Sequence, residues 1–148
     1  MLKRRAFLLG TLTAAVSCQR PGGDEPAAPK MAPATLAGRI ADVKAGKVAV
    51  LYVGPDALFK RGRVPGAVNV GEAGSSAGLA AIKAAIAKLP PETEVVLYCG
   101  CCPVASCPNV RPAGAAVRAA RPNNGYVLDL PTRFADDWAD KGYPTERG

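Results

Sequence analysis

The chain has 148 residues, a length that suits one domain, and its 49% apolar and 21% charged residues set it apart from disordered chains. Histidine is absent, which excludes imidazole-based catalysis, a histidine-ligated zinc and a histidine proton shuttle. Nineteen basic residues face twelve acidic ones, but Lys3, Arg4 and Arg5 cluster at the start, the other cations are scattered, and aromatic residues make up 5%, a pattern that excludes a nucleic-acid partner.

Residues 1–18, MLKRRAFLLGTLTAAVSC, open on cations, run apolar from Ala6 to Val16, and close on small residues and a cysteine. That layout is an export signal, and its apolar run is shorter than the roughly 20 residues a spanning helix needs. Arg4-Arg5 resembles the twin-arginine address. Ala15-Val16-Ser17-Cys18 resembles a lipoprotein processing site, with Cys18 as the lipidated residue and plain cleavage after Ser17 as the alternative. The expected location is therefore bacterial and exported, either periplasmic or anchored to a membrane by lipid. Residues 19–34 are rich in Pro, Gly and Ala without a hydrophobic period, and read as a flexible tether.

The folded part is expected over 35–148. Leu36, Ile40 and Val43 recur at helical spacing and predict a short amphipathic helix. Val48 to Val53 is a continuous apolar, β-branched run, which suits a strand covered on both faces, and Val68 to Val70 is a second, shorter one. Residues 77–88 predict a helix that stops at Pro90-Pro91, and Glu94 to Tyr98 a further buried strand. Pro112 fits the first turn of a helix over Ala113 to Ala120. Tyr126 to Leu130 then predicts a strand, and the region around Phe134 to Asp140 a last helix. Alternation of strands with helices points to an α/β fold with a mostly parallel central sheet flanked by helices. Ligands of such sheets bind where strand ends give way to helix starts.

That place is taken by YCGCCPVASCPNVRP, in which Cys99, Cys101, Cys102 and Cys107 fall within nine residues. A thiol between a buried strand and a helix start meets backbone N–H groups and the positive end of the helix dipole, so Cys99 is expected to ionise readily, with Arg111 as a further stabiliser of its charge. Four chemistries use such a cluster. Cys99 can carry sulfane sulfur as a persulfide, a role that requires no cofactor. The four thiolates can hold zinc, copper or an iron–sulfur centre. Two thiols can alternate between dithiol and disulfide, or a disulfide such as Cys102 with Cys107 can be structural.

Gly62-Arg63-Val64-Pro65-Gly66-Ala67-Val68-Asn69-Val70 resembles the G-H-I-P-G-A-x-N-I segment of the rhodanese-like domains, and Val95-Val96-Leu97-Tyr98-Cys99 resembles their strand ending in Tyr-Cys. Gly125-Tyr126, Leu128, Trp138 and Gly142-Tyr143-Pro144 are similar to their closing pattern. The resemblance runs from about Leu36 onward. It implies a single rhodanese-like domain and places Cys99 at the family's persulfide-forming position. The loop Cys99 to Asn109 is similar to the C-G-C-C-P-x-x-x-C-P-N loop of a bacterial subgroup.

Several positions depart from the family's pattern. Tyr52 and Gly54 stand where rhodaneses commonly have Asp-x-Arg, Arg63 replaces a histidine, and the loop is longer, with Pro103 and Pro108 removing N–H donors. Tyr52 is expected as wall or core, Arg63 at a solvated turn and Trp138 in packing. The function expected is a sulfurtransferase or persulfide carrier working through Cys99. Cys101, Cys102 and Cys107 would be its auxiliary thiols, and its partners a small sulfur donor or a thiol acceptor protein.

Overall fold

The computed structural model describes residues 28–148. The expected export signal, Cys18 and the expected tether as far as residue 27 lie outside the described residues. Five parallel strands form one sheet in the order β1-β5-β4-β2-β3, with β1 at Lys30–Met31, β2 at Val48–Tyr52, β3 at Val68–Asn69, β4 at Glu94–Tyr98 and β5 at Gly125–Leu128. Helices α1 (Pro33–Ala37), α2 (Ile40–Lys44), α3 (Asp56–Arg61), α4 (Ser76–Ala87) and α5 (Val110–Ala120) cover it. A five-residue π-helical turn, Ala135–Ala139, closes the fold.

Side chains alternate across β4 and divide the core in two. Val95, Leu97 and Cys99 pack with Leu51, Val53, Ile82, Ile86, Ala113 and Val117 on the side of α4 and α5. Val96 and Tyr98 pack with Val48, Val50, Tyr52, Leu36, Val43 and Trp138 on the other. The first face is aliphatic. The second carries a chain of rings, Phe59, Tyr52, Tyr98, Phe134, Trp138 and Tyr143, with successive centroids 5.1–5.9 Å apart. A run apolar at every position, as in β2 and from Val95 to Tyr98 of β4, is what a strand covered on both faces requires.

Three expectations are corrected. The tether ends sooner than residue 34: Lys30–Met31 pairs with Val127–Leu128 as an edge strand, and Met31 is buried against Leu36 and Leu128. A two-residue strand is too short to leave a periodic signal. The single helix expected across Leu36 to Val43 is two, because the chain turns at Gly38-Arg39 before Ile40 restarts it. Helix α3 was not anticipated. Its six residues are all at least partly exposed, so hydrophobic spacing leaves little trace of it.

Candidate active site at the cysteine loop

From β2 the chain moves outward to β3, returns through α4 to β4 on the other side, and moves outward again to β5. The crevice at the carboxyl ends of β2 and β4 is therefore the switch point at which parallel sheets bind ligands. Tyr52 and Tyr98 are register partners there, and the next residues on are Val53-Gly54 and Cys99. Gly54 has a steric reason to be glycine: a Cβ would lie 2.6 Å from the Cys99 sulfur and 2.7 Å from the Tyr52 hydroxyl. An arginine of the common Asp-x-Arg pattern has no room while Cys99 and Tyr52 occupy that space. The Tyr52 hydroxyl donates to the Pro55 carbonyl at 3.0 Å, and the Tyr98 hydroxyl accepts from the Val64 amide at 3.0 Å, so both phenols are held. Burial raises both phenol pKa values, so each remains neutral.

The loop after β4 turns at Gly100, whose φ of +75° is left-handed and whose Cβ would strike that of Phe134 at 2.6 Å. Backbone bonds pin the loop to the segment after β5, from the Phe134 amide to the Gly100 carbonyl and from the Val104 amide to the Leu130 carbonyl, each at 3.0 Å. The turn folds the thiols together: Cys99 to Cys101 is 3.0 Å between sulfurs, Cys101 to Cys102 is 3.3 Å and Cys101 to Cys107 is 4.0 Å. Buried Asn109 braces the arrangement. Its amide nitrogen is 3.7 Å from the Cys99 sulfur, and its oxygen accepts from the Gly74 amide at 2.8 Å.

The electrostatics correct the sequence argument about where the charge resides. The low-pKa thiol is Cys107, lowered to about 5 first by the neighbouring Cys99 thiol, whose sulfur lies within 4.8 Å, and, against the opposing effect of burial, by the amides of Val110 and Asn109 at the start of α5. Cys99 is pushed up from the ordinary thiol value, first by the neighbouring Cys107, then by burial and by Cys101, to whose sulfur its thiol donates. Burial and the neighbouring thiols push Cys102 up to about 12. Cys107 is thus the sulfur that ionises most readily. Backbone amides and the helix dipole do lower a thiol pKa here, but the helix start addresses the far end of the loop, Cys107 and not Cys99.

Cys99 and Cys101 open into a cavity of about 620 Å³, lined also by Tyr52, Leu58, Gly100 and Phe134. Arg61, Arg133 and Arg147 line it against the single acid Asp140. Arg111 is elsewhere: its side chain is exposed on α5 and does not line the cavity. Arg63 is not at a free turn. It bonds the Gly148 carbonyl at 2.7 Å, lies 3.6 Å from a Glu146 carboxylate oxygen, and stacks over Phe59. Trp138 is fully buried, with its indole donating to the Pro144 carbonyl at 2.8 Å. The sequence reasoning missed Asn109, Phe134 and the three cavity arginines. An asparagine just ahead of the predicted helix was a signal for the first; the others come from distant segments that only folding brings together.

Cys99, Cys101 and Cys107 also form a grouping whose sulfurs all lie within 4.8 Å of one another, and Cys102 stands outside it. Three convergent thiolates without nitrogen donors suit a soft cation.

The rhodanese-like domain family matches residues 33–129. The chain belongs to that family, and its sheet and helices are those of a single rhodanese-like domain. Among solved structures it is similar to a thiosulfate sulfurtransferase from Pseudomonas aeruginosa, at 28% identity and a TM-score of 0.60, over 84% of this chain and 20% of that one. The chain thus spans about a fifth of that protein's length. A protein from Bacillus halodurans (18% identity, TM-score 0.58, covering 81% of this chain and 77% of that one) shares the fold. So does one from Lactobacillus plantarum (18% identity, TM-score 0.56, covering 80% and 88%). No curated protein matches the sequence.

Proposed function

We propose that the protein is a sulfurtransferase that carries sulfane sulfur as a persulfide on Cys99, loaded from an anionic donor. The observation that supports this is the position of Cys99 at the switch point of the sheet, in a cavity whose charged lining is three arginines to one aspartate. With thiosulfate as donor, the Cys99 sulfur attacks the sulfane sulfur while its proton passes to the Cys107 thiolate. The S–S bond of thiosulfate breaks, sulfite leaves with the bonding pair, and a Cys99 persulfide anion remains. Atoms and charge balance without a cofactor. Arg61, Arg133 and Arg147 draw the anion in and stabilise the departing sulfite. Similarity to the Pseudomonas thiosulfate sulfurtransferase supports the donor class. The export signal over residues 1–18 supports work outside the cytoplasm, with Cys18 as lipid anchor and a thiol or thiol protein as acceptor.

Loading with thiosulfate followed by intact mass measurement tests this reading. The chain gains one sulfur atom or its product, cyanide releases thiocyanate, and Cys99→Ser abolishes both. Unchanged turnover in that variant removes Cys99 from the chemistry.

The three-sulfur grouping supports a second reading, in which Cys99, Cys101 and Cys107 hold copper(I) or zinc. An iron–sulfur cluster would require Cys102 as well. Anaerobically purified protein would then contain stoichiometric metal, lost in Cys107→Ser. A metal-free chain that is equally stable would dismiss this reading.

A further inference from the structure

We propose that Cys101 is a resolving thiol, which attacks the inner sulfur of the Cys99 persulfide, closes a Cys99–Cys101 disulfide and releases hydrogen sulfide. The inference rests on the persulfide reading and adds a second reaction to it, reductive release of the carried sulfur without an external acceptor.

Three observations single out Cys101 among the auxiliary thiols. Its sulfur is 3.0 Å from that of Cys99 and accepts the Cys99 thiol proton. Only Cys101 joins Cys99 in lining the cavity, from which a small leaving group can escape. The intervening Gly100 takes the left-handed turn that folds residue 101 back on residue 99, and a Cβ there would collide with Phe134. Glycine at 100 therefore serves the approach of two sulfurs, not chain flexibility.

The step balances. The Cys101 thiol supplies the nucleophilic sulfur and its proton goes to the departing sulfur. The bond between the two persulfide sulfurs breaks with its electron pair on the outer one, which leaves as hydrosulfide. Sulfane sulfur is reduced by two electrons, and the Cys99 and Cys101 sulfurs are together oxidised by two. Hydrosulfide is the better leaving group because its conjugate acid is more acidic than a cysteine thiol, and exchange rates favour the more acidic leaving thiol. Each further round needs a dithiol reductant, a small dithiol or a dithiol protein, to reopen the disulfide. Cys102 and Cys107 are not consumed.

The full chain, reduced, stripped of metal and held anaerobic, is treated with one equivalent of thiosulfate and, separately, with glutathione persulfide. The expected result is one sulfide released per chain, a product two hydrogens lighter than the reduced protein, and a peptide map joining Cys99 to Cys101. Cys101→Ser is expected to stop at the adduct one sulfur heavier and to release sulfide at the level of a blank, whereas Cys102→Ser behaves as the parent. Cys101→Ala serves as a second variant, with circular dichroism showing that each is folded. A parent chain that retains its extra sulfur, or a disulfide joining Cys99 to Cys102 or Cys107, overturns the resolving role and leaves the persulfide reading intact. Absence of both adduct and sulfide in every protein overturns both.

Discussion

Cys99 and Cys107 bound the same loop and are equally buried, at 2% exposure each, yet their acidities move in opposite directions. Burial alone raises a thiol pKa, so the difference must come from what each sulfur accepts. Cys107 sits just before α5, where the amides of Asn109 and Val110 converge on it beside the Cys99 thiol. Cys99 ends a strand, receives one amide, that of Cys101, and spends its proton on its neighbours. Oriented donors, not solvent access, decide which sulfur carries the charge. The proposed nucleophile and the most acidic thiol are thus different residues of one cluster.

The comparison breaks most sharply at Cys107. Cys107→Ser removes the sulfur whose pKa is lowered to about 5, and ultraviolet thiolate absorbance at pH 7 is expected to fall by more than about tenfold. If Cys99→Ser gives that loss and Cys107→Ser does not, the assignment of charge is reversed.

Gly54→Ala forces a methyl group to within 2.6 Å of the Cys99 sulfur. Overpacking of this kind costs about 1–3 kcal/mol, to be read from denaturant midpoints, and sulfur loading is expected to slow because Cys99 must shift. Asn109→Ala removes the brace between Cys99 and the Gly74 amide, at an expected cost of about 1 kcal/mol. It is also expected to reduce loading at saturating donor, an effect on kcat and not on KM.

The pH dependence of stability sharpens the same contrast. Between about pH 5 and the ordinary thiol value of 9.0, folded Cys107 has lost a proton that the unfolded chain still holds. Stability from this residue therefore rises across that window and is lost as pH falls through 5. Above 9.0 the signs reverse: folded Cys99 and Cys102 keep protons that the unfolded chain gives up, so stability declines. The Tm of the reduced protein is expected to peak near that value, and the rise below it to vanish in Cys107→Ser. The smallest effect belongs to Arg111. Its exposed side chain lies outside the cavity, and Arg111→Ala is expected to change stability by less than about 0.5 kcal/mol and thiolate absorbance not at all.

Strands β2 and β4, helices α4 and α5 and the cysteine loop between β4 and α5 are legible in the sequence, because each is a long apolar or periodic segment or a local cluster. β1 and α3 are not: two edge residues and six partly exposed ones carry too little hydrophobic signal. At the site, the four loop cysteines can be read from their spacing. The arginines at 61, 133 and 147 cannot, because they approach Cys99 only when α3, the segment after β5 and the end of the chain converge on one crevice.

The order of residues by itself determined that this is a parallel α/β domain with a thiol at a strand end, since apolar runs, turn residues and the Tyr-Cys junction are local properties. Only the tertiary structure decided which thiol is the most acidic, which sulfurs lie close together and which cations face them. Those outcomes depend on directions and distances of a few ångströms between groups that the linear chain keeps apart.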